Sequence, residues 1–315
     1  MRTTKSEPGA IFPQLMMVVG VLSASTGAIF IRMAQYDGVP SLVIAASRVG
    51  LATILLMPIA LGKYNQEIKA LSRRSFLLAF LSGVFLALHF ATWVSSLEYT
   101  SVTSSVVLVS MSPLLVALLS IWILGERYEK LIWIGLVISL TGSLVVAFSQ
   151  GDLMGDGDLN TRLKMMFSGK TLLGNVLAFA GAWFVSGYLI IGRKLRASLS
   201  LVPYTFLVFG MASLVLIVMS LASGLSFSGY PQKTYLWLIL LAIIPQILGH
   251  ATFSWGLKYL SATFIAIALL GEPIGSSIWA LLLFEESPTA FEILGGSLIL
   301  VGIFLASKAK RVEDG

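Results

Sequence analysis

The chain contains no cysteine, and charged residues make up only 11% of its 315 positions. The first absence removes disulfides, thiol catalysis and cysteine-based metal sites. The second removes an ordinary soluble surface, because a soluble domain carries about 25% charged residues. Histidine is scarce as well, with two in the chain. No G-x-S-x-G elbow and no H-E-x-x-H pair occur, so a membrane-embedded enzyme has little to build a nucleophile or metal centre from. The stretch KMMFSGKT resembles the end of a phosphate loop. Lys164 stands where the first glycine is required, and no strand precedes it, so ATP is not the expected energy source. The acidic stretch DLMGDGD lacks EF-hand spacing and its terminal Glu. No cofactor and no metal are expected.

What the chain has in abundance is apolar sequence: 57% of residues are hydrophobic and the mean hydropathy is +0.91. A transmembrane helix needs about 20 mostly apolar residues. Ten segments qualify: 12–34, 41–61, 75–97, 101–124, 130–149, 171–191, 201–223, 234–256, 261–284 and 289–307. Backbone polar groups cannot go unsatisfied in lipid, so each is read as a helix. The first follows Arg2 and Lys5 as a signal peptide would, but it continues to about Ala34 and is read as an uncleaved span. The fold class is therefore an all-α integral membrane protein with ten transmembrane helices.

The net charge of +6 is explained by orientation rather than by nucleic acid. With the N-terminus inside, 15 Lys and Arg fall on the inner side and 4 on the outer side, while Arg32 and Arg48 lie within spans. That bias places both termini in the cytoplasm and the longest loop, 150–170, outside. Multi-pass insertion in a bacterial plasma membrane is expected.

The sequence also repeats itself. Leu97 to Glu126 overlays Leu257 to Glu286 at an offset of 160, pairing Tyr99 with Tyr259, Ser101 with Ser261, Thr103 with Thr263, Pro113 with Pro273 and Glu126 with Glu286. Further along, Gly135 meets Gly295 and Gly142 meets Gly302; earlier, Gly50 meets Gly210. The first spans match at offset 154, where Gly20, Ala24, Gly27, Ala28 and Phe30 meet Gly174, Ala178, Gly181, Ala182 and Phe184. The chain thus reads as two five-helix units, 1–149 and 171–307, with an outside connector at 150–170 and a cytoplasmic tail at 308–315. Five is odd, so the copies enter the membrane in opposite directions. Inverted repeats of this kind are an architecture of secondary transporters.

The two copies, with Pro113 and Pro273 in the fourth span of each and the acids of LGERYE and FEESPT just after, resemble the EamA family of the drug/metabolite transporter superfamily. The resemblance covers nearly the whole chain. It implies ten helices and export of amino acids or related small metabolites by alternating access, with spans one, three, four, six, eight and nine around the cavity. A passive facilitator or channel is the other reading.

Candidate substrate-binding residues follow from intramembrane polarity. A charge at the bilayer centre costs roughly 2.5–3.5 kcal/mol on insertion scales, so it usually faces a cavity or a partner. Glu272 stands beside Pro273, which frees the carbonyl of Leu269 and kinks the helix. The first copy has Ser112 at the position of Glu272 and Pro113 at the second kink. His89 and His250 lie in equivalent spans; His89 shares a helix face with Trp93, and His250 with Gln246. Arg48 lies within span two, where it pairs with Glu272 or takes an anionic group. Trp93, Trp183, Tyr188 and Trp255 are candidate pocket aromatics, against a background of belt and packing residues. The small-residue stripe of span one, ending in Arg32, reads as helix packing, and Arg32 as snorkelling, paired with Asp37 or receiving a substrate carboxylate. Glu126 and Glu286 are expected in structural, gating or capping roles. The expected partners are a small-molecule substrate, the lipid bilayer and, as an open alternative, a second copy in a homodimer.

Overall fold

A computed structural model describes residues 11–96, 99, 100, 102–150, 169–285 and 287–309. The acidic stretch of the connector, Ser101, Glu286 and residues 310–315 lie outside the described residues. The described residues are helical apart from short connections and form ten apolar helices. These are α1 (Phe12–Tyr36), α2 (Ser41–Lys63), α3 (Arg73–Ser96), α4 (Ser105–Leu124) and α5 (Lys130–Gln150). They are followed by α6 (Gly169–Arg196), α7 (Leu201–Ala222), α8 (Gln232–Gly256), α9 (Ala262–Leu283) and α10 (Ala290–Lys308). Among the described residues nine of them are long and apolar enough to cross a membrane; α5 is apolar over the shorter stretch Lys130–Val146.

Three helices are interrupted where the sequence supplies a cause. α4 leaves regular hydrogen bonding at Ser110 and Met111 and restarts at Ser112, with Pro113 in its first turn. α9 does the same at Leu270 and Gly271 and restarts at Glu272, with Pro273 in its first turn. There the amides of Leu270 and Gly271 bond three residues back, to Ile267 and Ala268, because a proline lacks the donor that would continue the ladder. α8 widens to π-helical turns over Ala242–His250, a segment that contains Pro245. Such widened turns are rare and often mark functional sites.

Close helix contacts run between the two halves of the chain. α5 packs against α10, α6 against α3, α7 against α2 and α3, and α1 against α8. In an apolar solvent there is no water to expel from between helices, so association rests on close backbone approach at small residues. At the α5–α10 crossing a Cβ on Gly135 would stand 2.5 Å from the carbonyl oxygen of Gly302, and one on Gly142 would stand 2.5 Å from that of Gly295. The contact is reciprocal, with a Cβ on Gly295 at 2.6 Å from Gly142 O and one on Gly302 at 2.5 Å from Gly135 O. Between the glycines, Ser139 Oγ donates to the carbonyl of Ile299 at 3.4 Å. The α2–α7 contact is reciprocal as well: Gly50 faces Ser213 and Gly210 faces Thr53. Each contact has its counterpart at the offset of 160: Gly135 and Gly295 are equivalent positions, as are Gly142 and Gly302, and Gly50 and Gly210.

The small-residue stripe of α1 does pack. A Cβ on Gly20 would meet Phe253 at 2.9 Å, and one on Gly249 would meet the backbone of Ala24 at 2.9 Å. Arg32 is exposed. Asp37 bonds to α8 rather than to Arg32: Lys233 Nζ lies 3.0 Å from Asp37 Oδ1, and Thr234 Oγ1 donates to Oδ2 at 2.8 Å.

Candidate functional site

Among the described residues, a group of polar side chains in the interior straddles the two halves. α2 contributes Arg48, α3 His89, Phe90 and Trp93, and α8 Gln246 and His250. Arg48 is 5% exposed and Gln246 is fully buried. Arg48 Nε donates to Gln246 Oε1 at 2.5 Å. Its guanidinium also lies over the Phe90 ring, 5.0 Å from the centroid, a contact worth about 2 kcal/mol when desolvated. His89 and His250 sit 5.3 and 6.0 Å from the same ring. Phe90 is therefore an apolar floor under one arginine and two histidines.

His89 is fixed on both sides. Its Nδ1 is bonded to the carbonyl of Gly181 on α6 at 2.9 Å. A carbonyl only accepts, so Nδ1 carries the proton. The ring stacks on Trp93 at 6.0 Å and 8°.

Glu272 begins the second half of α9 and is partly exposed. One turn on, Ser276 Oγ donates to Ser25 O at 3.1 Å, and Trp279 Nε1 donates to Leu22 O at 2.9 Å. Residues i and i+4 share a helix face, so Glu272 looks towards α1. Arg48 and Glu272 feel each other's charge, but the direct partner of Arg48 is Gln246. The pairing with Glu272 considered from sequence is not the one the structure makes.

Three donors at this site have no partner: Arg48 Nη2, Gln246 Nε2 and Trp93 Nε1. Leaving a buried donor unpaired costs about 1–3 kcal/mol, more when it is charged. Three in one neighbourhood mark a site built for something other than stability.

The remaining sequence candidates lie elsewhere. Ser112 is buried at the α4–α6 contact, where its carbonyl accepts from Ser186 Oγ at 3.3 Å. Tyr188 joins a second buried hydroxyl group, with its OH 2.9 Å from Ser254 Oγ; nearby, Tyr204 OH lies 3.3 Å from Ser82 Oγ and Arg196 Nε donates to Ser254 O at 2.9 Å. Trp183 is 46% exposed and meets Phe179 edge-on, in a row with exposed Leu172 and Val176. The structure does not bring it to the polar group. Trp255 packs on Phe12 and Tyr259 at one end of α8.

Two further polar networks join helix ends. At the end rich in Lys and Arg, Arg193 Nε donates to Glu126 Oε1 at 3.3 Å, and its Nη1 donates to the carbonyls of Leu257 and Lys258 at 2.5 and 3.1 Å. Tyr128 OH donates to Glu126 Oε2 at 2.5 Å, and Thr263 Oγ1 donates to Tyr128 at 2.8 Å. Burial and the Glu126 carboxylate push the Tyr128 phenol well above its ordinary value of 10.0, so it remains a donor. This network ties the ends of α4, α6, α8 and α9. At the other end is the Asp37–Lys233–Thr234 clasp, whose hydroxyl and ammonium hold Asp37 below its ordinary value of 3.8.

Sequence reasoning named Arg48, Gln246, His89 and His250 but not Phe90, which carries no signal of its own in an apolar run. It gave Glu126 a structural, gating or capping role without its partners: Arg193 and Thr263 sit on other helices, and Tyr128, two residues on, carries no signal of its own.

Comparison with known proteins agrees with this architecture. A protein of known crystal structure superposes with a TM-score of 0.75 at 16% identity, over 94% of this chain and 97% of that one; the two share a fold. An uncharacterized transporter of Archaeoglobus fulgidus is 25% identical over 228 residues, covering 72% of this chain and 73% of the relative. The pseudopaline exporter CntI of Pseudomonas aeruginosa is 25% identical over 245 residues, covering 77% and 78%. The model of the EamA-like transporter family matches twice, at residues 11–148 and 172–308. The chain belongs to the EamA-like transporter family, within the drug/metabolite transporter superfamily.

Proposed function

We propose that this protein is a secondary transporter that exports amino acids or related small metabolites across a bacterial plasma membrane. The observation that carries the reading is the polar group of Arg48, Gln246, His89 and His250 held between the two halves of a chain made of apolar helices, with Glu272 at the break in α9.

Ten spans, both termini cytoplasmic, form two inverted five-helix units. The reciprocal contacts support this. Gly135 faces Gly302 and Gly142 faces Gly295, as expected when equivalent helices cross antiparallel about a two-fold axis in the membrane plane. Transport proceeds by alternating access. The Glu126–Arg193–Tyr128–Thr263 network closes the cytoplasmic end and the Asp37–Lys233 clasp closes the outer end. Opening one while the other holds exposes the polar group to one side at a time. Helix breaks before Pro113 and Pro273 and the widened turns around Pro245 give α4, α9 and α8 places to bend. Glu272, His89, Trp93, His250, Gln246, Arg48 and Ser112 line or support the path. Tyr188 shapes the wall beside it, and Trp183, on an exposed row, takes no part.

The test is counterflow in liposomes preloaded with pooled amino acids. Saturable, ATP-independent accumulation of a labelled amino acid against preloaded substrate identifies a carrier. Flux that neither saturates nor responds to preloading identifies a passive facilitator instead.

A further inference from the structure

The three unpartnered groups at the polar site are all donors: a guanidinium N–H, an amide N–H and an indole N–H. The orientation of the Gln246 amide is forced. Its oxygen accepts from Arg48, so its nitrogen is left as the donor. The molecule that completes the site therefore brings acceptors and negative charge. Glu272 does not fill that role, since it is not bonded to Arg48.

We infer that Arg48 and Gln246 form a carboxylate-receiving subsite, so that the transported molecule carries a carboxylate held by Arg48 Nη2 and Gln246 Nε2. A carboxylate has two oxygens, and the two orphan N–H groups flank one hydrogen bond. One anion thus satisfies both donors with charge-assisted bonds. Phe90 beneath the guanidinium excludes water and leaves the outer edge of Arg48 for the ligand. The inference rests on the transporter reading only for the word "transported"; the subsite itself follows from the donor inventory.

The experiment compares acids with their amides. Thermal stabilisation of the purified protein is measured with phenylalanine, leucine and glutamate, with phenylalaninamide and leucinamide, and with chloride and inorganic phosphate. The same measurements are made on Gln246→Met and Arg48→Met. At least one carboxylate is expected to stabilise the wild type, with its amide ~10-fold weaker or more, and Gln246→Met is expected to lose most of that preference. Equal stabilisation by acid and amide overturns the inference, as does stabilisation by the inorganic anions alone or by no carboxylate at millimolar concentration. The amide comparison needs no variant, so a misfolded Arg48→Met leaves the test intact. Counterflow in liposomes separates the two readings. Acid-selective stabilisation without counterflow defeats the transporter and keeps the subsite; counterflow of carboxylate-free molecules does the reverse.

Discussion

Arg48 and Gln246, 198 residues apart, are joined by a 2.5 Å hydrogen bond from the guanidinium Nε to the amide oxygen. The bond links α2 of the first half to α8 of the second, at a point where α8 is widened by π-helical turns. It is a polar tie between the two halves of the chain. Replacing Gln246 by Leu strips a buried charge of its partner, which costs about 1.5–3 kcal/mol. The variant is expected to lower the melting temperature and abolish transport. Gln246→Glu keeps an acceptor for Arg48 and is expected to restore the stability but not the transport, because it removes the free amide N–H. Melting curves and counterflow on the two variants check both statements.

The glycine crossing of α5 and α10 has no room for a side chain. A Cβ at Gly135 or Gly142 would stand 2.5 Å from a carbonyl oxygen of the partner helix. Overpacking costs typically 1–3 kcal/mol. Gly142→Ala is expected to lower stability by an amount in that range, and Gly142→Leu to prevent assembly of the two halves. Gly62→Ala, where nothing lies within 4 Å, is the matching control. Thermal unfolding in detergent reads all three.

Removing the Glu126 contact should loosen the cytoplasmic end. The chain has no cysteine, so a single cysteine introduced at Thr263 reports access there without background. Glu126→Gln in that background is expected to speed labelling by a membrane-impermeant maleimide from the cytoplasmic side several-fold. An unchanged rate means that the network does not close that end.

The same network gives an alkaline limit. The Tyr128 phenol has its folded value raised above 10.0 by burial and by Glu126. A raised value means that its stabilising contribution is complete below pH 10 and is lost as pH climbs beyond it. The wild type is expected to destabilise more steeply above pH 10 than Tyr128→Phe. At the outer end the sign reverses. Asp37 is held below 3.8 by Thr234 and Lys233, so its contribution is present above that pH and fades as pH falls further, and Asp37→Asn should flatten the acid limb.

Trp183 serves as the contrast. Its ring is 46% exposed, in a row with Leu172, Val176 and Phe179. Trp183→Leu is expected to leave counterflow and substrate preference unchanged, whereas Trp93→Leu, which removes an orphan donor and the stack on His89, is expected to weaken transport.

Much of the fold was legible because lipid leaves few choices. Apolar runs of about 20 residues form helices, and the offset of 160 picked out the four glycines of the α5–α10 crossing, though each meets the other's equivalent: Gly135 faces Gly302 and Gly142 faces Gly295. The polar candidates were legible for the same reason: Arg48, His89, Gln246 and His250 stand out against apolar neighbours. Their partnerships were not. Nothing in the sequence distinguishes Gln246 from Glu272 as the partner of Arg48, because that depends on how far the π-helical turns of α8 rotate Gln246 towards α2. Phe90 is one phenylalanine among 18, and only packing sets it beneath a guanidinium. Trp183 and Trp93 look alike in sequence; the face of the helix separates them. The Glu126 network draws on residues near 126, 193, 257 and 263, each unremarkable alone.

The measurement that bears most directly on the account is counterflow of labelled amino acids by the wild type beside Glu272→Gln, with folding of both confirmed by melting curves. The account expects saturable counterflow by the wild type and its loss in the variant, since Glu272 is among the residues proposed to line or support the path. Undiminished counterflow by a folded Glu272→Gln protein would contradict the claim that transport runs through this site.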